Sequence, residues 1–163
     1  MTNAIIVINT GCTGLKFGAY AMDKTGALAL LHRGQIDSMQ GDPHFVAKDP
    51  AGKPLDAHEW GEGHAIDHRT ALHYVITWLE VNVADMKVVA AGHRVVLGGC
   101  RFEAPVLINS EVLDYLESLS AMEPSHQPFN VRGARASATI CACWSSAPMR
   151  RRSRRLTILP TRC

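Results

Sequence analysis

Apolar positions along this chain fall into short β-branched runs and one long helical stripe, and together they predict an α/β fold. Residues 4–8 (AIIVI) form a continuous apolar run closed by Asn9-Thr10-Gly11, a buried strand entering a tight turn. Residues 15–21 (LKFGAYA) alternate well enough to be a second strand, so residues 9–14 become the turn of a hairpin. Asp23-Lys24-Thr25-Gly26 is a further turn, and residues 27–34 read as a third strand. Residues 37–66 are rich in Gly, Pro, Asp and His and carry no sustained period, apart from a short hairpin around residues 48–54. Leu72, Val75, Ile76, Leu79 and Val83 then recur at helical spacing on one stripe, behind Asp67 as N-cap. Residues 87–91 (KVVAA) are a buried strand running into Gly92-His93-Arg94-Val95-Val96-Leu97-Gly98-Gly99. Ser110 is expected to cap a second helix through Leu119, with Val112, Leu113, Leu116 and Leu119 inward and Glu111 at the positive dipole end. Residues 122–130 read as an irregular, proline-containing loop.

Composition narrows the class. At 163 residues there is room for one ordinary domain, and 47% apolar residues suffice for a core. Aromatic content of only 6% suits a small-residue α/β interior better than a β-sandwich. The net charge of +2 hides an asymmetry: residues 1–136 hold 11 Lys and Arg against 15 Asp and Glu, whereas residues 137–163 hold six Arg and no acid. Past residue 136 no helical or strand period survives either, and such a stretch does not offset its ordering entropy by burial. Residues 1–136 are therefore read as the domain and residues 137–163 as an unrelated Arg-rich tail, disordered or translated from a shifted reading frame. Resequencing the gene would test the frame shift, which an intact frame would sink.

The five cysteines, at irregular spacing, make no disulfide framework, and Cys141, Cys143 and Cys163 are poorly spaced for structural zinc. Residues 4–8 are too short for the apolar core of a signal peptide, and no run approaches the roughly 20 apolar residues of a membrane span. A soluble, reducing, cytoplasmic setting is expected, without a membrane partner. The basic run at residues 150–155 could attract polyanions, but it lacks interleaved aromatics, so nucleic acid is not an expected partner. A salt-dependent gel shift with and without the tail would separate a non-catalytic, polyanion-binding relic from an enzyme fragment.

Three stretches carry candidate chemistry. In the turn at residues 9–16, Gly11 and Gly14 permit unusual dihedrals, so backbone amides could point into one concavity. Lys16 would supply charge there, and Asn9 and Thr13 neutral polar groups. G-x-x-x-x-G-K-[ST] is absent, so this is no P-loop, and a plain hairpin remains the alternative. At the end of the later strand, Arg94 offers a planar fork suited to a carboxylate or phosphoryl group, and Val96 a small apolar wall. His93 is read as a hydrogen-bonded structural residue. The third stretch is Pro124-Ser125-His126-Gln127-Pro128, a proline-flanked loop presenting His126.

Taken together these stretches resemble the acetate kinase family. Asn9-Thr10-Gly11-Cys12-Thr13-Gly14-Leu15-Lys16 is similar to that family's Asn-x-Gly-Ser-Ser-Ser-apolar-Lys, with Cys12, Thr13 and Gly14 in place of three serines. The stretch from His93 to Gly99 departs from its His-Arg-Val-Val-His-Gly-Gly only at Leu97, and the proline-flanked loop resembles its Pro-Leu-His-Asn-Pro. The resemblance covers roughly residues 3–136. It implies an incomplete actin-like, ribonuclease-H-like kinase domain, a mixed five-stranded sheet with flanking helices. It also implies transfer of the ATP γ-phosphoryl, with Mg²⁺, onto acetate or a similar short-chain carboxylate. On that reading Arg94 binds the carboxylate and the transferring phosphoryl, and His126 hydrogen-bonds its oxygens. Val96 lines the acyl pocket, while Asn9, Thr13 and Lys16 stand on the phosphate side, Asn9 being associated with the metal. The family's Asp-Thr-Ala-Phe-His motif and carboxyl-terminal domain have no counterpart in these residues, so the isolated chain is expected to be inactive. An actin-like phosphotransferase acting on a hydroxyl is the competing enzyme class. The family's oligomeric state is not carried over.

Overall fold

The computed structural model describes residues 2–82, 86–146 and 155–160. The first apolar run becomes β1 (Thr2–Thr10), which turns back as β2 (Leu15–Met22) and then β3 (Leu28–Asp37). These pair antiparallel in succession, as the alternating pattern predicts. The Gly- and Pro-rich stretch holds the hairpin expected there, β4 (His44–Lys48) and β5 (Pro54–Glu59). The helical stripe is α1 (His68–Asn82). Asp67 Oδ1 accepts the Thr70 N–H at 2.7 Å, the contact an N-cap makes with the third helical residue. Val83, the last residue of the predicted stripe, lies outside the described residues.

β6 (Met86–Val95) is longer than its apolar core and carries His93 and Arg94 as strand residues. β7 is the two-residue strand Val106–Leu107, followed by α2 (Ser110–Ser118). Here Asn109, not Ser110, is the N-cap. Asn109 is extended, at φ −138° and ψ −179°, and its Oδ1 takes the Val112 N–H at 2.8 Å, while Ser110 is already the first helical residue. The loop expected over residues 122–130 is also corrected, because α3 (Gln127–Ser146) begins inside it. Pro128 falls in the first turn, where an amide has no intrahelical partner to lose.

Past residue 136, where the sequence shows no helical or strand period, the backbone still forms regular elements. The α3 backbone continues to Ser146, and residues 155–160 form β8 (Arg155–Pro160). β8 finds its hydrogen bonds on the free edge of β6, which lies far away in sequence, and no local pattern reveals such an edge. The Arg residues at 150–154 and Cys163 lie outside the described residues.

The sheet order is β5-β4-β3-β2-β1-β6-β8-β7. β1, β6 and β8 run parallel, and β2 runs antiparallel to both its neighbours. The five strands β3-β2-β1-β6-β8 thus make the mixed sheet expected, widened by the β4–β5 hairpin on one edge and by β7 on the other. On β1, Ala4, Ile6, Ile8 and Thr10 are buried and the alternate residues only half-buried. Ala4, Ile6 and Ile8 pack with Leu72, Val75 and Leu79 of α1 in the main core, so α1 covers that face. α3 covers the same face nearer the strand ends. A Cβ on Gly133 would lie 2.5 Å from Thr10 Cγ2 and 2.8 Å from His93 Nε2, a helix–sheet approach only glycine permits. A second cluster joins Val95 to Val112, Leu113 and Leu116 of α2 and to Val131 and Ala134 of α3. Among the described residues no helix is long and apolar enough to cross a membrane.

Candidate active site at the strand ends

Register brings the first two candidate stretches together. Asn9 of β1 pairs directly with Lys16 of β2, and Ile8 pairs with His93 of β6. Successive strand residues point to opposite faces. Ile8 and His93 are buried toward the helices, so Asn9, Lys16 and Arg94 all project from the other face, on three adjacent strands. Lys16 and Arg94 are exposed, and neither joins an ion pair among the described residues. Two cations outside any ion pair among the described residues flank an amide side chain and make a surface ready for an anion.

His93 holds the Arg94 segment from behind. It is fully buried, and burial lowers its pKa to about 4; the nearby His68 adds to this, and the bond to the Arg94 carbonyl opposes it. At neutral pH the ring is therefore neutral and has one N–H. A carbonyl only accepts, so Nδ1–H donates to Arg94 O at 2.8 Å. Nε2 is then the acceptor facing Thr10 Oγ1 at 3.2 Å. The Thr10 hydroxyl has one hydrogen, for which Nε2 competes with the Phe129 carbonyl of α3 at 3.0 Å. The structural role expected of His93 matches this geometry.

The third stretch is tied to the other two by buried amides that the sequence reading passed over. Gln127 Oε1 accepts the Leu97 N–H at 3.2 Å, and Gln127 Nε2 donates to the carbonyls of Leu97 and Leu116, both at 3.0 Å. Asn130 Oδ1 accepts the Val96 N–H at 3.0 Å, and Asn130 Nδ2 donates to the Thr10 carbonyl. The start of α3 thus clamps the end of β1 and the chain just beyond β6. The sequence signal for this clamp is two amides three residues apart, one helical turn, in a proline-containing segment. Val96 is half-buried under this clamp. His126 precedes α3 on the exposed side, its Nδ1 3.1 Å from Glu123 Oε1. Gly98-Gly99 completes the turn; Gly99 has φ +59°, and a Cβ there would meet Leu119 Cδ1 at 2.9 Å.

Thr13 sits at the exposed tip of the first turn and borders an open cleft of about 540 Å³, shared with Ser38, Gln40, Gly41, Asp42, Glu62 and Gly63. None of the other candidate residues lines that cleft, so the chemistry is read at the strand ends. Among the described residues, no group of three or more His, Cys, Asp or Glu side chains could hold a metal ion. Cys141 and Cys143 fall in the last turns of α3.

The acetate kinase of Rhodopseudomonas palustris (strain TIE-1) is 32% identical over 154 residues, covering 90% of this chain and 38% of that protein. Among solved structures, the acetate kinase of Porphyromonas gingivalis superposes with TM-score 0.75 at 22% identity, over 97% of this chain and 37% of that one. A propionate kinase from Francisella tularensis gives TM-score 0.75 at 23% identity, over 97% and 36%. The chain spans well under half the length of the relatives it matches. The family model described as the acetokinase family matches residues 4–144, so the chain belongs to the acetokinase family.

Proposed function

We propose that this chain carries the carboxylate- and phosphoryl-handling half of an acetate-kinase-type acyl phosphotransferase. The reaction is transfer of the ATP γ-phosphoryl to acetate or a similar short-chain carboxylate. A carboxylate oxygen forms a bond to the γ-phosphorus, the bond to the β,γ-bridging oxygen breaks, and ADP leaves. The observation that carries the reading is the row of Lys16, Asn9 and Arg94 on three adjacent strands, with both cations unpaired among the described residues.

Such a transfer depends on positioning and on stabilising charge in an in-line arrangement. The Arg94 fork binds the acceptor carboxylate and the equatorial phosphoryl oxygens. Val96 contacts the short acyl chain and limits its length. His126 hydrogen-bonds the same oxygens through Nε2, its Nδ1 being turned to Glu123. Lys16 and Thr13 stand on the phosphate side with Asn9. A nucleotide would bring Mg²⁺ with its phosphates. Asn9 would offer that ion one neutral oxygen, and among the described residues no three His, Cys, Asp or Glu side chains lie together to hold it, so these residues alone do not fit a magnesium site.

The assay is conversion of acetyl phosphate to hydroxamate in the presence of ATP, Mg²⁺ and acetate, alongside acetate binding followed by NMR. The isolated chain is expected to bind acetate weakly, to lose that binding in Arg94→Ala, and to show no turnover. Turnover abolished by Arg94→Ala would overturn the expected inactivity. Acetate binding unchanged in Arg94→Ala would overturn the site.

A further inference from the structure

A turn binds an anion only when its N–H groups are unspent and held in one direction, and that depends on where its carbonyls go. In the turn between β1 and β2 every carbonyl from Gly11 to Gly14 is engaged. His68 Nε2 lies 2.7 Å from Gly11 O. Gln40 Nε2 donates to Cys12 O at 3.2 Å. The Met39 N–H donates to Thr13 O at 3.0 Å, and the Gly11 N–H closes the turn on Gly14 O at 2.8 Å. Among the described residues, by contrast, the N–H groups of Cys12, Thr13 and Gly14 have no protein acceptor. The turn is anchored through its acceptors and keeps its donors.

The anchor from His68 differs from the others. Gln40 is an exposed side chain and Met39 acts through its backbone, whereas His68 is a half-buried ring at the first position of α1. A carbonyl only accepts, so the contact fixes Nε2 as the protonated nitrogen. The same ring packs against Phe129 at 5.4 Å between centroids, and Phe129 carries the carbonyl that takes the Thr10 hydroxyl. His68 therefore touches the turn on one side and the start of α3 on the other.

We infer that His68 is a positioning residue for the phosphoryl-binding turn: its Nε2–H draws the Gly11 carbonyl toward α1, which leaves the amides of Cys12, Thr13 and Gly14 free for phosphoryl oxygens. The inference rests on the proposed reading of this turn as the phosphoryl side of the site. Two substitutions separate donor from ring. His68→Phe keeps an aromatic ring against Phe129 and removes the donor. His68→Gln places an amide nitrogen near the position of Nε2 and removes the ring.

The test is NMR on the full chain, isotopically labelled, with inorganic phosphate as the probe. In the original protein phosphate shifts the Cys12, Thr13 and Gly14 amides saturably. His68→Phe weakens that binding about tenfold, and His68→Gln restores it to within about twofold, the scale of one lost and regained hydrogen bond. Without phosphate, the Gly11 carbonyl ¹³C shift and the exchange rates of the three amides change in His68→Phe and return in His68→Gln. A His68→Phe protein that binds phosphate as well as the original, or whose Gly11 carbonyl shift is unmoved, overturns the positioning role. If the original protein shows no phosphate response while the Gly11 shift does move in His68→Phe, the phosphoryl reading of the turn falls, and the inference falls with it.

Discussion

Replacing Gln127 by Glu exchanges one amide NH₂ for an oxygen and probes the clamp that joins the candidate stretches. Gln127 is fully buried, and its amide is met on every side by backbone. Glutamate keeps the acceptor for the Leu97 N–H but turns the donor into an oxygen facing the carbonyls of Leu97 and Leu116. Leu116 O retains a partner in the Leu119 N–H, so the main loss falls on Leu97 O. Leaving the carbonyl of the half-buried Leu97 without this donor costs about 1 kcal/mol, the low end of the range for a buried group. An ionised carboxylate there costs more, so the group takes up a proton and its pKa rises above the ordinary value of about 4.3. At pH 8 the total penalty is about 3 kcal/mol, which for a chain of this size lowers Tm by about 10 °C.

The sign with pH follows from linkage. A folded-state pKa raised above the unfolded one makes the variant least handicapped below about pH 4.3, and the handicap grows as pH rises through the folded value. Urea unfolding followed by circular dichroism measures this when the original and Gln127→Glu proteins are compared at about pH 5 and about pH 8. Taking the difference removes titrations common to both, His93 included. Equal stability at pH 8, or a deficit that shrinks as pH rises, would refute the assignment of Gln127 as a neutral three-bond clamp.

Other outcomes follow from the same contacts. His93 is held neutral by burial, with its pKa lowered to about 4, so the unfolded chain binds the extra proton first as pH falls. Stability should therefore drop by up to about 3 kcal/mol between pH 6.5 and pH 4, and a His93→Gln protein that keeps the whole slope would count against this. Gly133→Ala gains about 1 kcal/mol of helix propensity but drives a methyl group into Thr10 and His93, for a net loss of about 2 kcal/mol in chemical denaturation. Pairing it with Thr10→Ala should recover part of that loss, and strict additivity of the two would argue against the contact. Asn109→Ala should cost about 1 kcal/mol and Ser110→Ala almost nothing in thermal melts, and the reverse order would restore Ser110 as the cap.

The apolar pattern carried much of the fold because it reports the solvent-facing period directly. β1, β2 and α1 are each a local alternation or stripe with turn residues beside it, and they stand where that pattern puts them. It failed where local backbone conformation or a remote partner was decisive. Asn109 and Ser110 are both good caps by residue type, and only the extended backbone at Asn109 brings its oxygen to the Val112 N–H. α3 stays hidden because its opening turn holds a proline, Pro128, and two amides, Gln127 and Asn130, chosen here by what they clamp. β8 depends on an edge offered by β6.

The candidate site divides along the same line. Sequence by itself supplied the residue types: an amide, a lysine, an arginine, a small apolar residue and a histidine, in three stretches that resemble one family. Which of them share a face is a property of register. The Asn9–Lys16 pair and the Ile8–His93 pair set three side chains on one surface, and a one-residue slip on any strand would turn one of them toward the helices. The residues that hold the arrangement, Gln127, Asn130 and His68, bond to backbone atoms of segments 11 to 120 residues away. A backbone carbonyl carries no residue identity, so such bonds leave no complementary pair in the sequence, and only the packed chain shows them.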